Sequence, residues 1–317
     1  VLMNPIALGA NRLRVISGYA TSAMAFHHLE RIRTKGCDVA IELIVGMAPQ
    51  DGLSLTNHKG FQKLTADEDR AFTCSYIYRP PTVHSKVYVW LRDEEPLRAF
   101  AGSANYTQTA FETQREVLVP CDARLAQEYF DHLSPESIFC DHIDAENVVQ
   151  IYNDRELLRS RPADVTPEEE ENLQTVSGID NIASLPRVCV TFLANDGTLP
   201  LGSGLNWGQR DGREPNQAYI RLPSTVYRTD FFPPVATHFT VLTDDNKVLI
   251  CTRAQDNGKA IHTPHNNSEI GIYFRQRLRV RLGQPVLKEH LDRYGRNDVC
   301  FFKIDDETYF MDFSNGR

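Results

Sequence analysis

The chain has 317 residues, 41% of them hydrophobic, which is enough for two domains that each bury a core. Its 34 Lys+Arg against 42 Asp+Glu give a net charge of −8, which excludes a uniformly basic nucleic-acid coat. No apolar run of about 18 residues occurs, which excludes a helical membrane span, so no membrane partner is expected. Residues 1–174 carry 17 Lys+Arg and 26 Asp+Glu, whereas residues 175–317 carry 17 and 16. The acidity therefore sits in the first half and in the glutamates at 168–171, a solvated linker or helix start. A near-neutral second half still permits local phosphate binding, because the field depends on where charges sit. The opening Val1-Leu2-Met3-Asn4-Pro5 has neither a cationic nor an apolar leader region, so no secretory signal is expected. The missing initiator methionine suggests processing or truncation. Seven cysteines, odd in number and never in a C-x-x-C pair, predict reduced thiols in a cytoplasmic protein and no zinc site.

In chain order, residues 13–20 and 39–45 read as β-branched strands, and 22–32 as a helix with Ser22 as its cap. Residues 53–64 have helical periodicity. Residues 83–91 form a β-branched and aromatic run that reads as a buried strand, and 100–105 a second strand entering a small-residue turn. A third apolar run follows Glu116, then a helix over 122–133. Alternation of this kind predicts an α/β domain around one mixed sheet over residues 1–150. Residues 151–180 read as a charged linker. Residues 181–317 differ: short β-type runs at 187–193, 218–222, 238–242, 247–251, 269–274, 299–304 and 308–313 are separated by turn residues, with Asp244-Asp245-Asn246 as a hairpin turn. A helix is possible near 286–294. Strands at this density predict an all-β pseudobarrel.

Chemistry concentrates in one stretch. His84 and Lys86 are two apart on the 83–91 strand, so their side chains share a face and set an imidazole beside a cation. The turn Gly102-Ser103-Ala104-Asn105 can bring a hydroxyl and an amide to the same pocket, with Glu116 in the next run. A neutral imidazole is nucleophilic near pH 7, and lysine and amide donors stabilise charge developing on phosphate oxygens. An isolated H-x-K or G-S-x-N is common and means little; both in order at strand-compatible spacing carry the signal.

These residues resemble the phospholipase D superfamily signature in its HxK…GSxN…E form. The resemblance implies that His84 is the nucleophile of a phosphohistidine intermediate, that Lys86 and Asn105 hold the phosphate, and that Ser103 is a supporting donor. It implies that Glu116 orients a histidine, and that no metal or other cofactor takes part. Many members carry an aspartate five residues after the lysine, where this chain has Leu91; its absence leans toward a nuclease rather than a lipid-cleaving member. Family sites use two such motifs, and no other histidine here has the pattern. One motif per chain therefore predicts a homodimer with a composite site, one His84 attacking and the other acting as acid.

The second half carries two polar loops. One holds Asn206, Trp207, Gln209, Arg210 and Arg213; the other holds Arg253, Gln255, Lys259, His262, Asn266 and Asn267. These side-chain types pair with base edges in the major groove, so the eleven are the candidate DNA-binding residues. Trp207 is equally suited to packing on the barrel. Arg275, Arg277, Arg279 and Arg281 alternate, which suits one strand face aimed at phosphates. His262 and His265 form H-x-x-H but lack a further ligand at zinc spacing.

Here the chain is similar to restriction endonucleases with an N-terminal phospholipase D-type nuclease and a C-terminal B3-like DNA-recognition barrel, through Gly204-Leu205-Asn206-Trp207-Gly208-Gln209-Arg210, Asn266-Asn267-Ser268 and Ile304-Asp305-Asp306. The resemblance implies a metal-independent, sequence-specific endonuclease on double-stranded DNA. Because reader and nuclease are separate domains, cleavage is expected outside the recognition site. Some members of this layout work with a separate ATPase or helicase-like subunit. That partner, through which alone ATP would enter, and a cognate DNA methyltransferase belong to the same expectation. The competing readings are a phosphodiesterase acting on phospholipid or DNA ends, and a DNA-binding regulator with a vestigial nuclease fold.

Overall fold

The computed structural model describes residues 1–68, 71–154 and 185–315. The chain divides into two units, Val1–Asp154 and Arg155–Arg317. Most of the expected linker, including the glutamates at 168–171, lies outside the described residues.

The first unit is built on β1 (Arg12–Ser17), β2 (Ala40–Val45), β3 (Leu53–Ser54), β4 (Phe72–Ile77), β5 (Lys86–Arg92), β6 (Glu95–Gly102), β7 (Leu118–Cys121), β8 (Ser137–Phe139) and β9 (Ile151–Tyr152). Seven of these form one mixed sheet in the order β7-β6-β5-β1-β2-β4-β8, and β3 pairs with β9. β1, β2 and β4 are parallel, joined by crossovers through the helices Ser22–Thr34 and Leu55–Asp67. β5, β6 and β7 continue as antiparallel neighbours. The caps explain where the helices start. Thr21 Oγ1 accepts from the Met24 amide at 3.2 Å, Ser54 Oγ from Asn57 at 3.1 Å, and Asp122 Oδ1 from Arg124 and Leu125 at 2.9 and 3.0 Å. The cap of the first helix is thus Thr21; Ser22 instead gives its amide to Asn57 Oδ1 at 2.9 Å. The helix Ala123–Leu133 sets Ala126, Phe130 and Leu133 against Ile16, Ile44, Val87, Val89 and Leu91 of the sheet. Leu91, at the position where many phospholipase D-type chains carry aspartate, is therefore a core residue.

The second unit contains β10 (Arg187–Thr191), β11 (Ile220–Arg221), β12 (His238–Thr243), β13 (Val248–Ala254), β14 (Ala260–His262), β15 (Asp298–Lys303) and β16 (Thr308–Asp312). They form one sheet in the order β10-β15-β16-β12-β13-β14-β11, with only β12 and β16 parallel. Phe232, Phe239, Phe274, Phe301, Tyr309 and Phe313 fill its core. The Asp244–Asn246 turn closes the β12–β13 hairpin, with Asn246 at φ 62°. The α/β mixed-sheet unit and the barrel-like sheet that follows it agree with the predicted fold class, and the second unit, expected as all-β, also carries the helices Glu269–Leu278 and Lys288–Tyr294.

Two readings of this half are corrected. Residues 269–274 are not a strand: Glu269–Leu278 is a helix, and its apolar positions Ile270, Tyr273, Phe274 and Leu278 recur at helical spacing. The four arginines consequently share no strand face. Arg275 is fully buried, Arg277 pairs with Asp244, and Arg279 is the left-handed cap after the helix. Nor are all seven cysteines free thiols. Cys189 and Cys300 stand opposite each other on β10 and β15 and form a disulfide. Their separation of 111 residues hides that register from any local motif. Among the described residues, no helix is long and apolar enough to cross a membrane.

Candidate active site and nucleic-acid interface

The motif residues of the first unit meet at one end of the sheet, where β5 begins and β6 ends. Lys86 is the register partner of Gly102, so the segments carrying His84 and Ser103 to Asn105 leave the sheet side by side. A Cβ on Gly102 would lie 1.9 Å from the Val117 carbonyl oxygen, so only glycine allows β6 and β7 this approach. The turn is then fixed by backbone bonding: the Ser103 amide donates to Val117 O at 2.9 Å, and the Val117 amide to Ser103 Oγ at 3.1 Å. Ser103 Oγ donates to the Glu116 carboxylate. Asn105 Oδ1 accepts from the Tyr19 amide at 3.2 Å and Ser17 Oγ at 3.4 Å. With its oxygen held from behind, Asn105 keeps its Nδ2 donors for a ligand.

His84 lies just before β5 rather than within it, because the strand starts at Lys86. The segment is tied down by the Val83 amide, which donates to Gly46 O at 3.1 Å. The imidazole is exposed, and it forms a T-shaped pair with the Tyr19 ring, ring centres 6.0 Å apart and planes at 79°. A Cβ on Gly18 would lie 2.9 Å from His84 Cδ2, so a glycine there leaves room for the ring. Lys86 is buried, and its ammonium donates to the His84 carbonyl oxygen at 2.7 Å.

Electrostatics favour a neutral imidazole. Partial desolvation, then the Lys86 charge, push the His84 pKa below its ordinary value, while Asp51 acts in the opposite direction. Burial also lowers Lys86, and Glu116 opposes it. The Glu116 carboxylate is engaged by Ser103 and acts on Lys86. The sequence reading missed Ser17, Gly18, Tyr19 and Asp51. The one signal available was position: Ser17, Gly18 and Tyr19 lie at or just past the carboxyl end of β1 and Asp51 beyond that of β2, where α/β sheets bind ligands.

The second unit sorts the eleven candidate reading residues by exposure. Asn206 is fully buried and structural: Nδ2 donates to Pro200 O and Val286 O at 3.0 and 2.7 Å, and Oδ1 accepts from the Val286 amide at 2.7 Å. Arg253 is buried too. Its guanidinium donates to the carbonyls of Gly258, Tyr227, Asn257, Phe232 and Pro233, so no donor face remains for a base. Gly258, at φ +66°, packs on that guanidinium, where a Cβ would come within 2.7 Å of Nε. Gln209 spends its amide on Pro215 O and Gly283 O at 2.8 and 3.2 Å, and His262 Nδ1 pairs with Asn267 Oδ1 at 2.6 Å. Asn206 and Arg253 are thus corrected from base readers to loop clamps, because burial and saturated hydrogen bonding exclude contact.

Arg210, Arg213, Gln255, Lys259 and Asn266 are exposed, and Trp207 is half-buried. The Arg213 guanidinium lies 3.9 Å over the Trp207 ring, whose other neighbour is Tyr219 at 5.7 Å. The two loops are stitched along 218–222, through the Ala218 amide on Asn267 O and the Leu222 amide on Lys259 O at 3.1 and 2.8 Å. Among the described residues, no cluster of three or more His, Cys, Asp or Glu side chains is arranged to hold a metal ion.

Two family models match. One, described as the NgoFVII restriction endonuclease N-terminal PLD domain, covers residues 1–147; the other, the NgoFVII C-terminal B3-like DNA-binding domain, covers residues 180–305. Among solved structures, the chain is similar to NucT from Helicobacter pylori, with 16% identity, 44% of this chain and 87% of that one covered, and a TM-score of 0.31. It is similar to the phospholipase D family member Nuc from Salmonella typhimurium, with 17% identity, 48% and 88% covered, and a TM-score of 0.29. A third is polyphosphate kinase from Porphyromonas gingivalis, with 16% identity, 45% and 22% covered, and a TM-score of 0.29. Likenesses this distant add no argument. No curated protein matches the chain significantly.

Proposed function

Because the chain belongs to the NgoFVII restriction endonuclease family, in which a phospholipase D-type nuclease domain precedes a B3-like DNA-binding domain, we propose that it cuts double-stranded DNA site-specifically, through a phosphohistidine and without a metal. The observation that carries the reading is the convergence of His84, Lys86 and the Asn105 amide at one mouth of the sheet. A ring nitrogen of neutral His84 attacks the phosphorus in line, and the bond to the leaving oxygen breaks. Lys86 and Asn105 Nδ2 hold the non-bridging oxygens as charge builds. The leaving oxygen takes a proton from a second imidazole, the His84 of a second copy. Water then attacks the phosphorus, gives its proton to that second imidazole, and the P–N bond breaks to restore neutral His84.

What supports a two-fold homodimer is the single motif, together with the apolar rim beside it. Val117, Val119, Leu125 and Tyr129 are exposed large side chains, and β7 is an edge strand of the sheet. Residues 1–150 are assigned to catalysis, 151–180 to a linker and 181–317 to DNA reading. Arg210, Arg213, Gln255, Lys259 and Asn266 are the side chains facing outward for that purpose, beside Trp207. A cognate methyltransferase and a separate ATPase subunit are further partners of such a system, and the cytoplasm is its compartment.

The test is incubation of purified protein with unmodified plasmid and phage DNA in EDTA, beside His84→Ala. Discrete His84-dependent bands in EDTA are expected. Bands that need magnesium would overturn metal independence. If no bands form in either, repetition with ATP and the partner subunits decides between a dependent nuclease and a binding-only protein.

A further inference from the structure

Within the motif, no carboxylate bears on His84 in this chain. Leu91 is core, and Glu116 is engaged by Ser103. A different segment supplies one. Asp51 ends the short helix Ala48–Asp51 that follows β2, and the Tyr19 hydroxyl donates to its Oδ2 at 2.5 Å. Tyr19 follows β1, forms a T-shaped ring pair with the His84 imidazole, and gives its backbone amide to Asn105 Oδ1. One residue therefore touches the carboxylate, the nucleophile and the phosphate-holding amide.

We propose that Tyr19 and Asp51 are positioning residues for His84: the hydroxyl pins the carboxylate, and the tyrosine ring backs the imidazole. This rests on the reading of His84 as both nucleophile and acid. Three charged or titratable groups bear on the ring from the elements around it. Lys86, at the start of β5, favours the neutral form; Asp51, beyond β2, favours the cation; Tyr19, after β1, is held neutral. Burial and then Asp51 raise the Tyr19 hydroxyl far above neutrality, so it stays a donor while the enzyme works. Glu116 acts on Lys86 instead. A composite site needs one imidazole neutral and one protonated, and opposed charges of Lys86 and Asp51 keep both forms within reach of one pH.

The experiment is an NMR titration of the His84 imidazole in the full-length protein, its signal assigned by its loss in His84→Ala, alongside the pH profile of single-turnover DNA cleavage. Asp51→Asn is isosteric and removes the charge, so the His84 pKa and the cleavage optimum should both move down by about one pH unit. Tyr19→Phe keeps the ring but frees the carboxylate; cleavage at neutral pH should fall about tenfold with DNA affinity held. An unmoved His84 titration in Asp51→Asn overturns the proposal, as does a rate loss in that variant without a shifted profile, which would mark a structural role. Cleavage that survives in His84→Ala would instead overturn the reading beneath it.

Discussion

The mouth of the first unit and the loops of the second use polar side chains in opposite ways. At the mouth, protein contacts take up one side of each functional group and leave the other to a ligand: Asn105 is held through its oxygen, and Lys86 by one bond to a carbonyl. In the loops, Asn206 and Arg253 are saturated by backbone, and what faces outward is a smaller set. A catalytic constellation is a matter of spacing in strand register. A reading surface is a matter of exposure, which loop composition does not reveal.

The strongest way to break that contrast is His84→Ala. Cleavage should fall by about a thousandfold or more while gel-shift affinity is unchanged; loss of both would make His84 structural. Next is Arg253→Ala, which strands buried carbonyls and should destabilise the second unit by about 3 kcal/mol. A variant with a wild-type melt but weakened specific binding would return Arg253 to the reading surface.

Acid sharpens the comparison from the other side. Burial holds His28 down to about 4, between the Tyr106 hydroxyl and the Leu2 carbonyl oxygen. Between about 4 and the ordinary 6.5 the unfolded chain binds the proton and the folded one does not. Stability therefore falls as pH drops through that window, by roughly 3 kcal/mol in all. Thermal melts at pH 7 and 5 should show it, and equal melting temperatures would refute it. The smallest effects belong to Arg210→Ala and Lys259→Ala. Each should weaken specific DNA binding by about 1–3 kcal/mol if it reads a base, without altering the melt. A uniform loss across all sequences would mark a phosphate contact instead.

The candidate catalytic residues can be read together from the sequence because they lie in three short segments whose pairing follows from strand spacing, as at Lys86 and Gly102. Tyr19 and Asp51, proposed to position His84, cannot, since they come from separate crossovers and share no motif with it. The arginines misled because a two-residue repeat fits a strand, whereas the apolar spacing of Ile270, Tyr273, Phe274 and Leu278 decides for a helix. The Cys189–Cys300 pair depends on a register set by the whole sheet. For the reading loops, Arg, Asn and Gln serve equally as base readers and as clamps, and only burial separates them.

Arg275 gives that separation a consequence. From full burial it donates to the carbonyls of Pro215, Asn216, Gly271 and Gln284, binding the loop after Arg213 to the helix and to the turn beyond it. Together with Asn206 and Gln209 it fixes the loop's shape before any nucleic acid arrives, so little ordering remains to be done on binding. It also divides the labour of the sequence. The clamps cannot change without cost, whereas the outward positions can, since surface substitutions away from such features usually shift stability by no more than about 0.5 kcal/mol. A scaffold so divided can change its outward side chains in single steps, each of them a folded protein.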